Sequence, residues 1–136
     1  MTASNKLNDL ISHWFSSRQE QLIVFEGDDE INLRRHAHTL LLSVQLTHNR
    51  PEKSLLTGWM RLGGVSLNHF QGALSQAPGT GMLWLVQCLH TGCAEKQLLE
   101  GIESLLNQRD TWRAIVARQA RPPQKLTPTS LRLLPH

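Results

Sequence analysis

From Thr39 to Leu46 apolar and mostly polar residues trade places at every step. Leu40, Leu42, Val44 and Leu46 fall on one side, and Thr39, Leu41, Ser43 and Gln45 on the other. A period of two sends successive side chains to opposite faces of a pleated strand. The stretch therefore demands a sheet with one buried face and one face turned outward. Upstream, Leu22–Phe25 is a short apolar run, and Glu30–Arg35 alternates around Ile31 and Leu33. Between them Glu26-Gly27-Asp28-Asp29 carries turn chemistry, because glycine accepts positive φ and aspartate bonds its own backbone. Three strands with short links predict an antiparallel meander.

On either side of the meander the period becomes helical. Leu7, Leu10, Ile11, Trp14 and Phe15 predict an amphipathic first helix of about four turns, with Ser4 or Asn5 as its cap. After Asn49-Arg50-Pro51, with Pro51 and Glu52 at the start, Leu55, Leu56, Trp59, Met60 and Leu62 form a second stripe. Gly63-Gly64 predicts a bend or an end to that helix. His69–Gln76 and Met82–His90 read as strands around the turn Pro78-Gly79-Thr80-Gly81. From Glu95, the residues Leu98, Leu99, Ile102, Leu105, Leu106, Trp112, Ile115 and Val116 keep helical spacing. The order α-β-β-β-α-β-β-α predicts a single α+β domain over residues 1–119, its antiparallel sheet covered by helices on one side. Residues 120–136 hold four of the six prolines and predict a Pro-rich basic tail rather than a packed element.

A chain of 136 residues with 40% hydrophobic and 18% charged residues suits one globular domain and excludes disorder. No apolar run is long enough to cross a bilayer, and MTASNKLNDL lacks the apolar stretch of a secretory signal, so a cytoplasmic protein is expected.

Catalytic constellations are missing from the pattern. There is no GxGxxG, Walker A, HExxH, GxSxG or EF-hand arrangement, and Gly79-Thr80-Gly81 is followed by Met82 rather than lysine. His36 and His38 would share a strand face but have no third ligand near them in sequence, so no metal is expected. Cys88 and His90 share a face without an orienting third group, which favours a core thiol beside a rim histidine. Cys88 and Cys93 are expected to be reduced thiols, one of them buried. Glu26, Asp28, Asp29 and Glu30 are expected to form a solvated turn. No catalytic residue and no cofactor is assigned. Trp14, Trp59, Trp84 and Trp112 each fall on the apolar pattern of a separate element, where most serve the core and one or two serve an interface.

This element order, together with the second helix LLTGWMRLGG, the strand MLWLVQCL after a Gly-rich turn and the closing helix LLEGIESLLNQRDTWRAIV with its polar NQ centre, resembles the class I chaperones of bacterial type III secretion, the Tir-chaperone and SycE-like group. The resemblance spans roughly Asn5 to Gln119. It implies a cytoplasmic dimer without catalytic activity that binds the N-terminal segment of a secreted effector or gatekeeper protein in extended form. An extended segment can add a strand to an exposed sheet edge while alternate side chains fill apolar pockets. By this analogy Leu10, Trp14, Leu22, Val24 and Phe25 would line the cargo pockets, and Leu56, Trp59 and Met60 would form the dimer contact. The tail LTPTSLRLL is loosely similar to that of the YscB-like subclass, whose members pair with a second small chaperone, so a homodimer and a heterodimer are both open.

Members of that group are often acidic, whereas this chain has a net charge of +3 and a pI near 9.3. The excess is local. Up to Asp110 there are nine basic and eleven acidic side chains; beyond it lie Arg113, Arg118, Arg121, Lys125 and Arg132 and no acid. A nucleic-acid-binding module using the basic tail is the competing reading. It lacks the interleaved arginine and aromatic residues that stack bases, and tyrosine is absent.

Overall fold

Gly27 (φ 66°) begins a two-residue turn that joins strand β1 (Gln21–Glu26) to β2 (Asp29–His36), as a tight hairpin requires at this position. In this computed structural model, which describes residues 2–65 and 72–119, β2 turns again through Ala37-His38 into β3 (Thr39–Gln45). The chain then forms helix α2 (Lys53–Val65), strands β4 (Ala73–Gln76) and β5 (Leu83–His90), and the long helix α3 (Glu95–Gln119). Helix α1 (Thr2–Ser16) precedes the sheet. The five strands lie in the order β1-β2-β3-β5-β4, with every neighbouring pair antiparallel. The element order is the predicted one.

The alternation in β3 does what its pattern demands. Leu40, Leu42 and Val44 are buried beside Ile31 and Leu33 of β2 and Leu83 and Leu85 of β5. All three helices cover this face. They contribute Leu7, Ile11 and Trp14 from α1, Trp59 from α2, and Leu98, Ile102, Leu105, Trp112 and Val116 from α3. At 25 residues α3 runs for about 37 Å and reaches β3, β5, α1 and α2. The polar centre of α3 clamps the backbone ahead of β4. Buried Gln108 accepts a hydrogen bond from Gly72 N (3.1 Å) and donates one to Gly72 O (2.9 Å). A Cβ at Gly72 would stand 2.5 Å from Leu105, so glycine is needed for this approach.

The C-terminal carbonyls of α1 are closed off by an arginine from the sheet. The Arg35 guanidinium lies 4.0 Å over the Trp14 ring. It donates to the carbonyls of Trp14 (3.1 Å) and Phe15 (2.9 Å), and to that of Gln19. The Trp14 and Phe15 carbonyls belong to the last turn of α1, where acceptors are met from outside the helix; Trp14 O also accepts from Ser17 N at 2.9 Å and Ser17 Oγ at 2.7 Å. Arg35→Ala should lower stability by about 2 kcal/mol, and Arg35→Lys should restore less than half of that because it lacks the planar fork. Urea unfolding reads both; a loss no larger than that of an ordinary exposed arginine would refute the capping role.

Several local expectations are corrected. Helix α1 starts at Thr2, so Ser4 and Asn5 lie inside it rather than at its cap. Helix α2 runs to Val65, one residue past Gly63-Gly64, and residues 66–71 lie outside the described residues. His36 ends β2 while His38 sits in the following turn, so they do not share a strand face. Cys88 is exposed rather than buried, since its register opposite Leu41 puts it on the helix-free face, and Cys93 is half-buried. The predicted strand His69–Gln76 is seen over Ala73–Gln76; its first three residues, 69–71, lie outside the described residues, as does the tail.

Candidate functional site

Strand β1 forms one edge of the sheet, and the direction of its backbone groups follows from parity. Arg35 N donates to Glu20 O at 2.8 Å, which makes 20 and 35 a hydrogen-bonded pair. In an antiparallel ladder such pairs alternate with non-bonded ones. With Leu22 opposite Leu33, Val24 opposite Ile31 and Glu26 opposite Asp29, these three residues bond inward to β2. The N–H and C=O groups of Gln21, Ile23 and Phe25 therefore point outward along the edge. The side chains of the same residues stand on the helix-free face, where Ile23 is 49% and Phe25 61% exposed. Two exposed apolar side chains beside a six-residue edge with no strand partner among the described residues are what strand addition uses.

The helix-free face continues inward from this edge. Asn32 lies opposite Ile23 and Glu30 opposite Phe25. Further across, Leu41, Ser43, Trp84, Val86, Asn32 and Arg34 line a shallow cleft of about 500 Å³. Trp84 is thus the tryptophan that stays off the core, while Trp14, Trp59 and Trp112 are buried.

The residues expected to line cargo pockets divide between two environments. Trp14 and Val24 are core residues, 1% and 7% exposed, and Leu22 packs against them half-buried. Leu10 is 44% exposed on α1, and Phe25 is exposed on the opposite face of the sheet from Leu22 and Val24. Ile23, absent from the expected set, belongs beside Phe25; the period of two through β1 pairs them. Of the expected dimer residues, Met60 is 60% exposed and Leu56 half-buried, while Trp59 turns inward.

A charge cluster anchors the hairpin that presents this edge. Asp29 is buried, and Arg113 grips it with both terminal nitrogens (Nη1 to Oδ2 and Nη2 to Oδ1, each 2.9 Å). Arg109 Nη1 adds a contact at 3.0 Å and His48 Nε2 one at 2.8 Å. Arg109 Nη2 reaches Glu26 at 2.7 Å and Asp110 at 2.9 Å, and Arg113 Nε donates to Leu46 O at 3.0 Å. One carboxylate thus ties the β1–β2 turn and the end of β3 to the middle of α3. The expected solvated turn is corrected here for Asp29: it begins β2 with its side chain on the helix face, within reach of two arginines one helical turn apart.

The Arg113 hydrogen bonds hold the Asp29 carboxyl below its ordinary value of 3.8, against the opposing effect of burial. Burial works against the charged form of Arg109, but its hydrogen bonds to Glu26 and Asp110 outweigh that and raise its pKa. A carboxyl held below its unfolded value stabilises the fold fully above that value and loses the contribution as pH falls through the folded one. Stability should therefore drop below about pH 4, and Asp29→Asn should flatten that acid limb. Urea midpoints across the acid range check it; an unchanged limb in the variant would place the titration elsewhere.

Among the described residues no helix is long and apolar enough to cross a membrane, and no group of three or more His, Cys, Asp or Glu side chains is placed to hold a metal. No family model matches the sequence, and neither does any curated protein. Solved structures do match the fold. A chain of the ExsC–ExsE complex superposes with a TM-score of 0.63 at 13% identity, covering 83% of this chain and 95% of that one. The HopA1–SchA chaperone–effector complex matches at 0.51 and 18% identity, covering 82% of this chain and 94% of the other. The heterodimeric ExoU–SpcU complex from the type III secretion system of Pseudomonas aeruginosa matches at 0.51 and 17% identity, covering 82% and 95%. The chain has the fold that these chaperone and secretion complexes contain.

Proposed function

We propose that this protein is a type III secretion chaperone. It binds the N-terminal segment of a secreted effector or gatekeeper protein in the cytoplasm, keeps that segment extended and presents it to the secretion apparatus. The observation that carries this reading is the open β1 edge, with the outward backbone groups of Gln21, Ile23 and Phe25 and two exposed apolar side chains, on a fold shared with chaperone–effector complexes. Cargo contacts centre on Ile23 and Phe25 at the edge, with Leu10 a separate exposed contact on α1; Leu22 is half-buried, and Trp14 and Val24 belong to the core behind the edge. No catalytic step is assigned. Co-expression with N-terminal segments of secreted proteins encoded nearby should give a soluble complex. Failure of every such segment to co-purify would sink the reading.

Met60, with Leu56 beside it on α2, is our proposed centre of a dimer contact, either with a second copy or with another small chaperone. Met60→Glu should leave the unfolding midpoint within about 0.5 kcal/mol of wild type, as exposed sites do, while shifting the assembly to monomer. Light scattering reads the mass; an unchanged dimer would move the interface off α2. The nucleic-acid reading rests on the basic tail, which lies outside the described residues; within the domain Arg35, Arg109 and Arg113 are engaged with carbonyls or carboxylates.

A further inference from the structure

Between α1 and the first half of α3 runs a groove of about 320 Å³. Buried Ile102 and half-buried Leu99 and Leu106 give it an apolar floor. Three carboxylates of α3, Glu95, Glu100 and Glu103, stand along it against the single ammonium of Lys96. Glu100 and Glu103 are exposed, while Glu95 is half-buried and accepts the Ser12 hydroxyl at 2.8 Å. A fourth carboxylate of the lining is Glu26, the last residue of β1. Its partner Arg109 is shared with Asp29 and Asp110, and Arg113 is spent on Asp29. That cluster sets two guanidiniums and the His48 imidazole against three carboxylates, and leaves no cation over for the rim.

Glu26 makes the groove continuous with the open edge. It follows Phe25 directly, and a chain paired along β1 leaves the sheet beside it. We propose that the stretch of cargo flanking the edge-paired strand occupies this groove, and that it is basic and aliphatic: extended, with Lys or Arg interleaved with leucine-like side chains and no acid. This rests on the cargo reading above. The apolar floor takes the aliphatic side chains and the rim carboxylates take the cations, whose long stems lie well on apolar surface. The groove along residues 95–106 is about 17 Å long, the span of about five extended residues. Because the edge already holds the neighbouring strand, the second contact forms at an effective concentration in the millimolar range, so a weak one suffices.

Charge separates this groove from the neighbouring hollows. The hollow between α2 and the end of α3, lined by Leu55, Gly58, Val116 and Gln119, has Glu52 as its one charged group. In the adjoining hollow beside Pro51, Arg113 and His48 are taken up by Asp29, which leaves Arg50 against Glu52. The cleft on the helix-free face sets Arg34 against Glu30. The hollow beside β5 carries Glu100 alone. None of these four holds a surplus of more than one charge.

The test titrates synthetic peptides into the full chain. Each peptide has six alternating valine and threonine residues and the extension Leu-Lys-Ser-Leu-Arg, placed at the C-terminus in one and at the N-terminus in the other, since the strand can run either way along β1. Counterparts carry glutamate or serine in place of the two basic residues. One of the basic peptides should bind about tenfold tighter than its serine counterpart, the scale of two exposed ion pairs, and the gain should fade as salt is raised to about 0.5 M. Amide signals of Asn8, Leu99 and Glu103 should shift along with those of Ile23 and Phe25. Glu100→Gln/Glu103→Gln should remove the gain, and Glu100→Lys/Glu103→Lys should transfer it to the glutamate peptide. Equal binding of basic and serine peptides, or a gain that survives both double variants, would overturn the proposal. The two readings fail separately. Shifts at Ile23 and Phe25 without a basic gain strike the groove and keep the edge; shifts at Leu99 and Glu103 with none at Ile23 and Phe25 strike the edge and keep the basic preference of the groove.

Discussion

Asp29→Ala should lower the unfolding free energy by about 3–5 kcal/mol, a large share of what a domain of this size has. The substitution removes few atoms. Its weight comes from what stays behind: Arg113 loses its bidentate partner, and Arg109, 5% exposed, loses the anion at Nη1 while keeping Glu26 and Asp110. A buried charge deprived of its partner is far more damaging than the pair was stabilising. The same reasoning predicts rescue. Asp29→Leu combined with Arg109→Met and Arg113→Met should recover most of the loss, because the desolvation of all three charges disappears with them. Chemical denaturation measures this as a fall and recovery in midpoint at constant slope. A loss for Asp29→Ala below about 1 kcal/mol would reduce the cluster to an ordinary surface pair.

Ile23→Pro should weaken cargo capture about a hundredfold and leave the fold nearly intact, whereas Val24→Pro should destabilise the fold by about 3 kcal/mol. The contrast rests on parity alone. The Ile23 N–H points away from the sheet, so proline there removes no ladder bond, and proline is tolerated on an edge strand in that position. It does remove a donor that an added strand needs, and its ring obstructs the approach. Losing two or three intermolecular backbone bonds of about 1 kcal/mol each weakens binding by a hundredfold or so. The Val24 N–H bonds inward to Ile31, and proline there breaks the β1–β2 ladder at a cost of about 3 kcal/mol. Circular dichroism reports folding and co-purification reports capture. A cargo that binds Ile23→Pro as well as wild type would show that strand addition does not occur on β1.

Much of this architecture is legible in the chain because period and burial coincide. The alternation in β3 and the stripe from Leu98 to Val116 each place a buried face where the structure has one. The site is less legible. Val24 and Phe25 are neighbours in sequence and stand on opposite faces of the sheet, so treating β1 as one apolar run merges a core residue with an exposed one. Asp29 escapes local pattern for a different reason. Its partners Arg109 and Arg113 are about eighty residues away, and only tertiary structure brings them to a turn that looks solvated on its own. Gln108 shows the same limit, since its binding of Gly72 is invisible to local pattern.

The outward groups of β1 are main-chain groups, and every polypeptide presents the same ones. A partner that docks there is gauged first by its ability to lie straight for about six residues, and only secondarily by what it carries on alternate positions. In the proposed role the edge would work as a gauge of conformation more than as a reader of sequence. Segments with little in common could share it provided they are unfolded and free of proline at the pairing positions, while the same segments inside a folded protein would be refused.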